Sequence, residues 1–256
     1  MKRSFLQAGV IAEMEMLKIR HEPSEVLTRA VQPILWLLVF GGVFSQVRVI
    51  PTDGVDYMEF LTPGVLAQSV LFMSIFYGIS MIWERDMGII QKFLTSPVPR
   101  TALVAGRALS AGGRGLLQAG LVLVVALTIG VGIRADPLSL ISVLFILVLG
   151  AAFFSCMSMC IAALVRTREK FMGIGQMITM PLFFASNAIY PVSMMPDWLK
   201  AVALVNPLTY EVDALRAIMV HGTSSSFGIW FDCLVLSLSA LGMCLLAAKL
   251  YPRVVR

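Results

Sequence analysis

The sequence predicts an all-α integral membrane protein with six transmembrane helices, and its composition, its uncharged runs and the placement of its basic residues each lead there. Hydrophobic residues make up 58% of the 256 and charged residues only 14%, against roughly 25% charged in soluble domains. Mean hydropathy is +0.86. A bilayer core of roughly 30 Å takes about 20 apolar residues per crossing. The length therefore holds several crossings in a single transmembrane domain over residues 1–256 and leaves no room for a separate soluble one.

Six long, nearly uncharged runs stand out, at 30–47, 61–83, 116–133, 138–165, 171–190 and 227–248. An even number puts both termini on one side. Lys and Arg concentrate in cytoplasmic loops, and here they separate cleanly. Lys2, Arg3, Lys18, Arg20, Arg29, Arg85, Lys92, Arg100, Arg107, Arg114, Arg166, Arg168, Lys170, Lys249, Arg253 and Arg256 fall on one side; Arg48, Arg134, Lys200 and Arg216 fall on the other. Sixteen against four predicts cytoplasmic termini and a multi-pass protein of the cell's inner (plasma) membrane. The net charge of +5 then reflects topology and contact with membrane lipid headgroups, and calls for no nucleic-acid partner.

Ahead of the first run, Leu6, Val10, Met14 and Leu17 recur at helical spacing, with Gln7, Glu15 and Lys18 elsewhere on the wheel. This predicts an amphipathic helix lying in the membrane interface. Glu13 and Glu15 interrupt the apolar pattern a signal peptide would need, and 21–24 form a break before the first span.

The absent chemistry narrows the function. The sequence has no Gly-x-x-x-x-Gly-Lys-Ser/Thr loop and no His-Glu-x-x-His, and its two histidines, His21 and His221, fall on opposite predicted sides. No catalytic group, metal site or cofactor is expected. Cys156, Cys160, Cys233 and Cys244 lie within spans without a Cys-x-x-Cys pair. Ala152, Cys156 and Cys160, like Ala111, Gly115 and Ala119, form small-residue stripes that predict close helix packing. Of the ionisable residues, only Asp232 falls inside a predicted span, whereas ion-coupled carriers keep buried charges. Energy for uphill movement would have to come from another subunit.

The stretch ERDMGIIQKFLTSPVPRTALVAGRAL, at 84–109, is where such a subunit could act. Glu84, Arg85 and Asp86 end the second span at the cytoplasmic surface. Helical apolar spacing continues to Leu94 before Ser96, Pro97 and Pro99 stop it, and a second short helix starts near Thr101 and runs into the third span. The result is a solvent-facing helical elbow with charge and an apolar edge, suited to a soluble motor or to resting on headgroups. Gly88 allows either a close approach or a kink.

This stretch resembles the cytoplasmic signature of the type-2 ABC transporter permeases, the membrane subunits of exporters similar to the daunorubicin-resistance and nodulation-factor systems. The matching residues are Glu84, Gly88, Ser96, Pro97, Arg100, Gly106 and Arg107. NPLTYEVDALR at 206–216 and FLTPGVLAQSVLF at 60–72 resemble two further family segments. The resemblance covers nearly the whole chain. It implies a six-helix half-transporter that pairs with a second copy or a close relative and docks two copies of an ATP-hydrolysing ABC subunit, with no catalysis of its own. The cargo implied is amphipathic, drug-like or lipid-linked, moving out of the cytoplasm. A motor-independent carrier or an intramembrane enzyme is the alternative. In the elbow, Arg85, Lys92, Arg100 and Arg107 are expected to meet acids on the motor, each exposed pair contributing about 0–1 kcal/mol, with Ile89, Ile90 and Phe93 adding apolar contact.

Two helical faces are candidates for a pathway or a dimer seam: Ser69, Met73, Tyr77 and Ser80 on the second span, and Gln176, Thr179, Phe183, Ser186 and Asn187 on the fifth. Both are expected to turn inward. Before the last span, 191–226 is too apolar for an ordinary loop and too interrupted to cross. Asp197 caps a first short helix, and Asn206 with Pro207 caps and starts a second running toward Val220. Tyr210, Asp213 and Arg216 lie on that second arm, with Asp213 and Arg216 one turn apart and able to pair. A re-entrant external hairpin is expected, with two helices flat on the membrane as the alternative.

Overall fold

The computed structural model describes residues 9, 23–47, 50, 52, 54–95, 98–134 and 136–255. The predicted N-terminal amphipathic helix, and Ser96 and Pro97 of the elbow, lie outside the described residues. Among those described, the chain is helical throughout, with one isolated pairing, Ile133 with Val220, outside the helices. In chain order the helices are α1 (Pro23–Leu35), a π-helical turn (Trp36–Gly41), α2 (Gly42–Val47), α3 (Tyr57–Asp86), α4 (Ile89–Thr95), α5 (Arg100–Thr128), α6 (Pro137–Leu164), α7 (Arg168–Phe184), a 3-10 turn (Val192–Met194), α8 (Asp197–Val205), α9 (Pro207–Met219), α10 (Ile229–Leu250) and a second 3-10 turn (Tyr251–Val255).

Local chemistry sets the helix ends. The Asp56 side chain accepts from the Met58 amide at 3.3 Å to start α3. Asp136 accepts from the Ser139 amide at 3.1 Å ahead of Pro137, starting α6. Those contacts hold the exposed Asp136 carboxyl below its usual range, the Ser139 hydroxyl contributing most. Thr167 caps α7. At the far end of α3 the chain turns through Gly88 at φ +71°, a left-handed conformation that Gly adopts without a Cβ penalty.

Helix α6 is the hub, packing along α3, α5, α9 and α10. Close approach is built from small residues. A Cβ on Gly115 would come within 3.1 Å of Val70, and one on Gly150 would overlap the Glu211 carboxyl. A Cβ on Gly78 would overlap the Ser158 hydroxyl, which donates to the Ile75 carbonyl, and would meet the Phe171 ring. Helix α3 is buried along most of its length, whereas α1, the π-helical turn and α2 together expose Leu27, Val31, Leu35, Val39, Val43 and Val47 as an apolar ridge. Helix α10 exposes a second one, from Trp230 to Leu246.

Among the described residues, five helices are long and apolar enough to cross a membrane: Leu27–Val47, Tyr57–Asp86, Arg100–Thr128, Pro137–Leu164 and Ile229–Val254. The sixth predicted run, 171–190, divides. Its helix α7 has 17 residues, about 25 Å at 1.5 Å per residue, and irregular chain follows from Ala185 to Tyr190. The elbow's second helix is not a separate element but the start of α5, continuous with the third predicted span.

Candidate functional site

The elbow lies at one end of the bundle. The α3 helix ends at Asp86, the chain reverses at Met87 and Gly88, α4 runs from Ile89 to Thr95, and α5 starts at Arg100 behind Pro99. Glu84 does not face solvent. It is 5% exposed and forms an ion pair with Arg107, itself 2% exposed. The antiparallel packing of α3 on α5 brings a residue predicted for the membrane surface against one two turns inside the next helix. Arg107 also lies over the Tyr251 ring, with its guanidinium carbon 5.9 Å from the centroid.

The other elbow residues divide by exposure. Arg85 is committed within the chain: it pairs with Asp86 at 3.0 Å and donates to the carbonyls of Val165 and Arg166 at 3.1 and 2.6 Å, closing the end of α6. Arg168 pairs with Asp86 at 3.2 Å and stacks on Trp83 at 3.6 Å. Ile90 is fully buried among Met81, Ile82, Leu103, Tyr251 and Val254, so it serves the chain's own core. Lys92 and Arg100 are exposed, and Met87 offers an exposed apolar side chain. Gly106 is buried in α5. Gly88 makes no close approach within the chain, since a Cβ there would meet only Gln91 Oε1, at 3.9 Å; its backbone conformation explains it. Arg114, counted among the loop cations, is 7% exposed inside the bundle, its guanidinium carbon 4.9 Å from the Tyr77 ring centroid.

The hairpin lies at the other end of α3. Asn206 joins three elements. Its Nδ2 donates to the carbonyls of Leu182 and Ala185, at 2.7 and 3.0 Å, closing the C-terminus of α7, and its Oδ1 accepts from the Leu208 amide at 3.1 Å, capping α9. The Tyr210 hydroxyl donates to the Leu204 carbonyl at 2.6 Å, fastening α9 to α8. Helix α8 starts at Asp197 behind Pro196, and no side-chain cap is made there.

Asp213 and Arg216 do not pair with each other. Asp213 accepts from Ser225, from the amides of Ser226 and Phe227, from the Ser226 hydroxyl and from Asn187 Nδ2, at 2.7 to 3.5 Å. Arg216 donates Nη2 to the Asn187 carbonyl at 2.7 Å and Nε to the Phe60 carbonyl at 3.3 Å, and stacks on the Phe60 ring at 3.7 Å. One turn apart on a helix permits a pair, but the 225–227 loop and the 187 segment reach each side chain first.

Of the two candidate faces, Ser69, Met73, Tyr77, Thr179, Phe183, Ser186 and Asn187 are buried as expected, but Gln176 is exposed. Ser69, Ser80 and Ser186 each donate to a carbonyl three residues back, at 2.6 to 2.7 Å, so these hydroxyls are satisfied locally. Phe183 sets its ring against Trp36 of the π-helical turn, centroids 5.6 Å apart. Sequence reasoning placed Glu211 on the second arm of the hairpin but not against α6; it is 0% exposed, with no hydrogen-bond partner for either carboxylate oxygen among the described residues. The small patch Gly150–Ala151–Ala152, where Glu211 of α9 packs on α6, is the sequence signal that could have located it.

A hub-and-bundle of apolar helices, with a charged elbow at one end and a capped helical hairpin at the other, defines a multi-pass membrane protein. Residues 6–220 match the family described as ABC-2 type transporter, and the chain belongs to that family of transport permeases. It is 28% identical over 243 residues to the daunorubicin resistance ABC transporter permease protein DrrB1 of Streptomyces coeruleorubidus, covering 94% of this chain and 83% of that one. Nodulation protein J of Rhizobium meliloti is 26% identical over 213 residues, 82% of this chain and 80% of its own length. The putative transport permease ycf38 of Cyanophora paradoxa is 24% identical over 219 residues, 84% and 74% of the two chains. Permeases of this family are membrane transport subunits, not themselves catalytic, and generally pair with an ABC ATPase subunit.

Proposed function

We propose that this chain is the membrane subunit of an ATP-driven exporter in the cell's inner membrane, acting as a single domain with both termini cytoplasmic. Two copies, or one copy and a close relative, would pair and dock two ATPase subunits at the elbow. The observation that carries this reading is the enclosed Glu84–Arg107 pair. It ties the end of α3 to the start of α5 across the short helix α4, so a push on α4 is passed to two membrane helices as one rigid unit. Lys92, Arg100 and Met87 stay exposed on that unit and form its outward contact surface. On this reading only Lys92 and Arg100 of the four expected basic contacts face the motor.

The six-span arrangement rests on α7 crossing together with the irregular 185–190 segment. The re-entrant hairpin is supported by depth. Glu211 lies against Gly150, 13 residues past Pro137, about 20 Å along α6 at 1.5 Å per residue. Gln176 and its exposed neighbours Met172 and Met177 are available to lipid or to the second copy. The relatives named for daunorubicin resistance and nodulation favour an amphipathic, drug-like or lipid-linked cargo.

The test is purification of the chain with a candidate P-loop ATPase, preferably one encoded beside it, followed by ATPase assays in membranes. The permease should raise the hydrolysis rate, and Arg100→Glu should abolish the increase while leaving the yield of folded permease unchanged. A chain that transports with no ATPase bound would instead be a motor-independent carrier.

A further inference from the structure

At the hairpin end a cavity of about 560 Å³ opens between the 187–193 segment, α9 and the 222–227 loop, and it is lined by Asn187, Ser193, Asp213, Arg216, Ser224 and Phe227. We propose that it binds the phosphodiester headgroup of an anionic membrane phospholipid, with Arg216 as the anion-binding residue. Arg216 is 8% exposed and rigidly held: Nε and Nη2 are spent on the carbonyls of Phe60 and Asn187, and its face is stacked on Phe60. That leaves Nη1 without a protein partner among the described residues, on a side chain that lines the cavity. The Asn187 Oδ1 atom is buried and has no partner among the described residues.

Asp213 does not occupy the guanidinium. Five contacts from Asn187 and the 225–227 loop hold its two oxygens, so its charge only lowers the local potential. A cavity with one cationic donor among its described lining residues, beside a restrained carboxylate, favours a singly charged phosphodiester over a dianionic phosphate ester. The hydroxyls of Ser193 and Ser224 have no hydrogen-bond partner among the described residues and line the same space.

Position identifies the source of the phosphate. Phe227, on the cavity wall, is followed by Trp230, 90% exposed, and by the exposed Phe231 at the start of α10. Exposed Trp at the end of an apolar helix marks the headgroup level of a bilayer, the depth at which phospholipid phosphates lie. The inference is independent of the transport reading, because binding is measured on the chain alone.

The experiment titrates the purified full chain in detergent with dihexanoyl phosphatidylglycerol, with dihexanoylglycerol, which lacks the phosphate, and with inorganic phosphate. Binding is read by calorimetry. Saturable binding of the phospholipid and none of the dihexanoylglycerol is expected. Ser224→Glu should weaken phospholipid binding at least tenfold, by placing a carboxylate at the cavity without touching the hydrogen bonds of Arg216. Arg216→Gln should abolish binding, and Ser224→Glu keeps the test decisive if Arg216→Gln fails to fold. Equal binding of dihexanoylglycerol, unchanged binding in Ser224→Glu, or a response to inorganic phosphate with none to the phospholipid would each overturn the proposal.

Discussion

The carboxylate of Glu84, in the last turn of α3, is closed off from solvent by the guanidinium of Arg107, two turns into α5. A surface pair contributes at most about 1 kcal/mol, whereas removing one partner of a buried pair costs about 3–5 kcal/mol, because the remaining charge is stranded. Glu84→Ala and Arg107→Ala are each expected to reduce the yield of folded, monodisperse protein on size-exclusion chromatography. The double substitution Glu84→Leu with Arg107→Met should recover most of it. Recovery of fold without recovery of ATPase stimulation would separate the coupling role of the pair from its structural one.

Asn206 serves two helices, so its replacements should rank by which bonds survive. Asn206→Ser keeps an N-cap for α9 and loses the two donors to Leu182 and Ala185. Asn206→Ala loses all three bonds, at about 0.5–2 kcal/mol for the cap and about 1 kcal/mol for each further bond. Asn206→Asp sets a carboxylate against two carbonyl oxygens and should be the worst. Thermal melting in detergent is expected to give Ser above Ala above Asp; an Asp variant as stable as wild type would remove the α7-capping role.

Glu211 has neither a charge partner nor a hydrogen bond among the described residues. An unsatisfied buried polar group costs about 1–3 kcal/mol, so Glu211→Met should hold or raise the melting temperature, and Glu211→Gln should change it little. A drop of several degrees in both variants would mean that the carboxylate is engaged by a group beyond the described residues.

Two glycines make opposite predictions. Gly78→Ala would drive a methyl into the Ser158 hydroxyl and the Phe171 ring, and overpacking of this kind costs about 1–3 kcal/mol. Gly120 lies in α5 with nothing within 4 Å of a built Cβ, so Gly120→Ala should stabilise by up to about 1 kcal/mol through helix propensity. Paired melting curves check both; the same sign for the two would discredit the α3–α6–α7 contact at Gly78.

Reporter fusions test the orientation that the basic residues predict. Fusions near 55, 136 and 200 should report the outside, and those near 95 and 168 the inside. An inside signal at 55 would reverse the topology.

Much of the architecture was legible because apolar run length and helix punctuation are local properties. The runs at 61–83, 138–165 and 227–248 became α3, α6 and α10, and Asn206–Pro207 started α9 where the capping chemistry required. What failed was inference from position along the chain to depth in the fold. Arg107 and Arg114 read as loop cations because charge usually marks a boundary, yet α5 carries both into the bundle, where Glu84 and the Tyr77 ring receive them.

The sequence by itself determined that this is a helical membrane protein of the ABC-2 permease family and where α3, α6 and α10 run, since these depend on the residues' own hydropathy, caps and order. Only the tertiary structure decided partners. It gave Glu84 to Arg107, sent Asp213 to the 225–227 loop and Arg216 to Phe60 and Asn187, left Glu211 against Gly150, and ended α7 at Phe184 under Asn206. The physical reason is that a buried polar group takes whichever donor or acceptor the packed helices bring within about 3 Å, and that distance is set by residues far away in the chain.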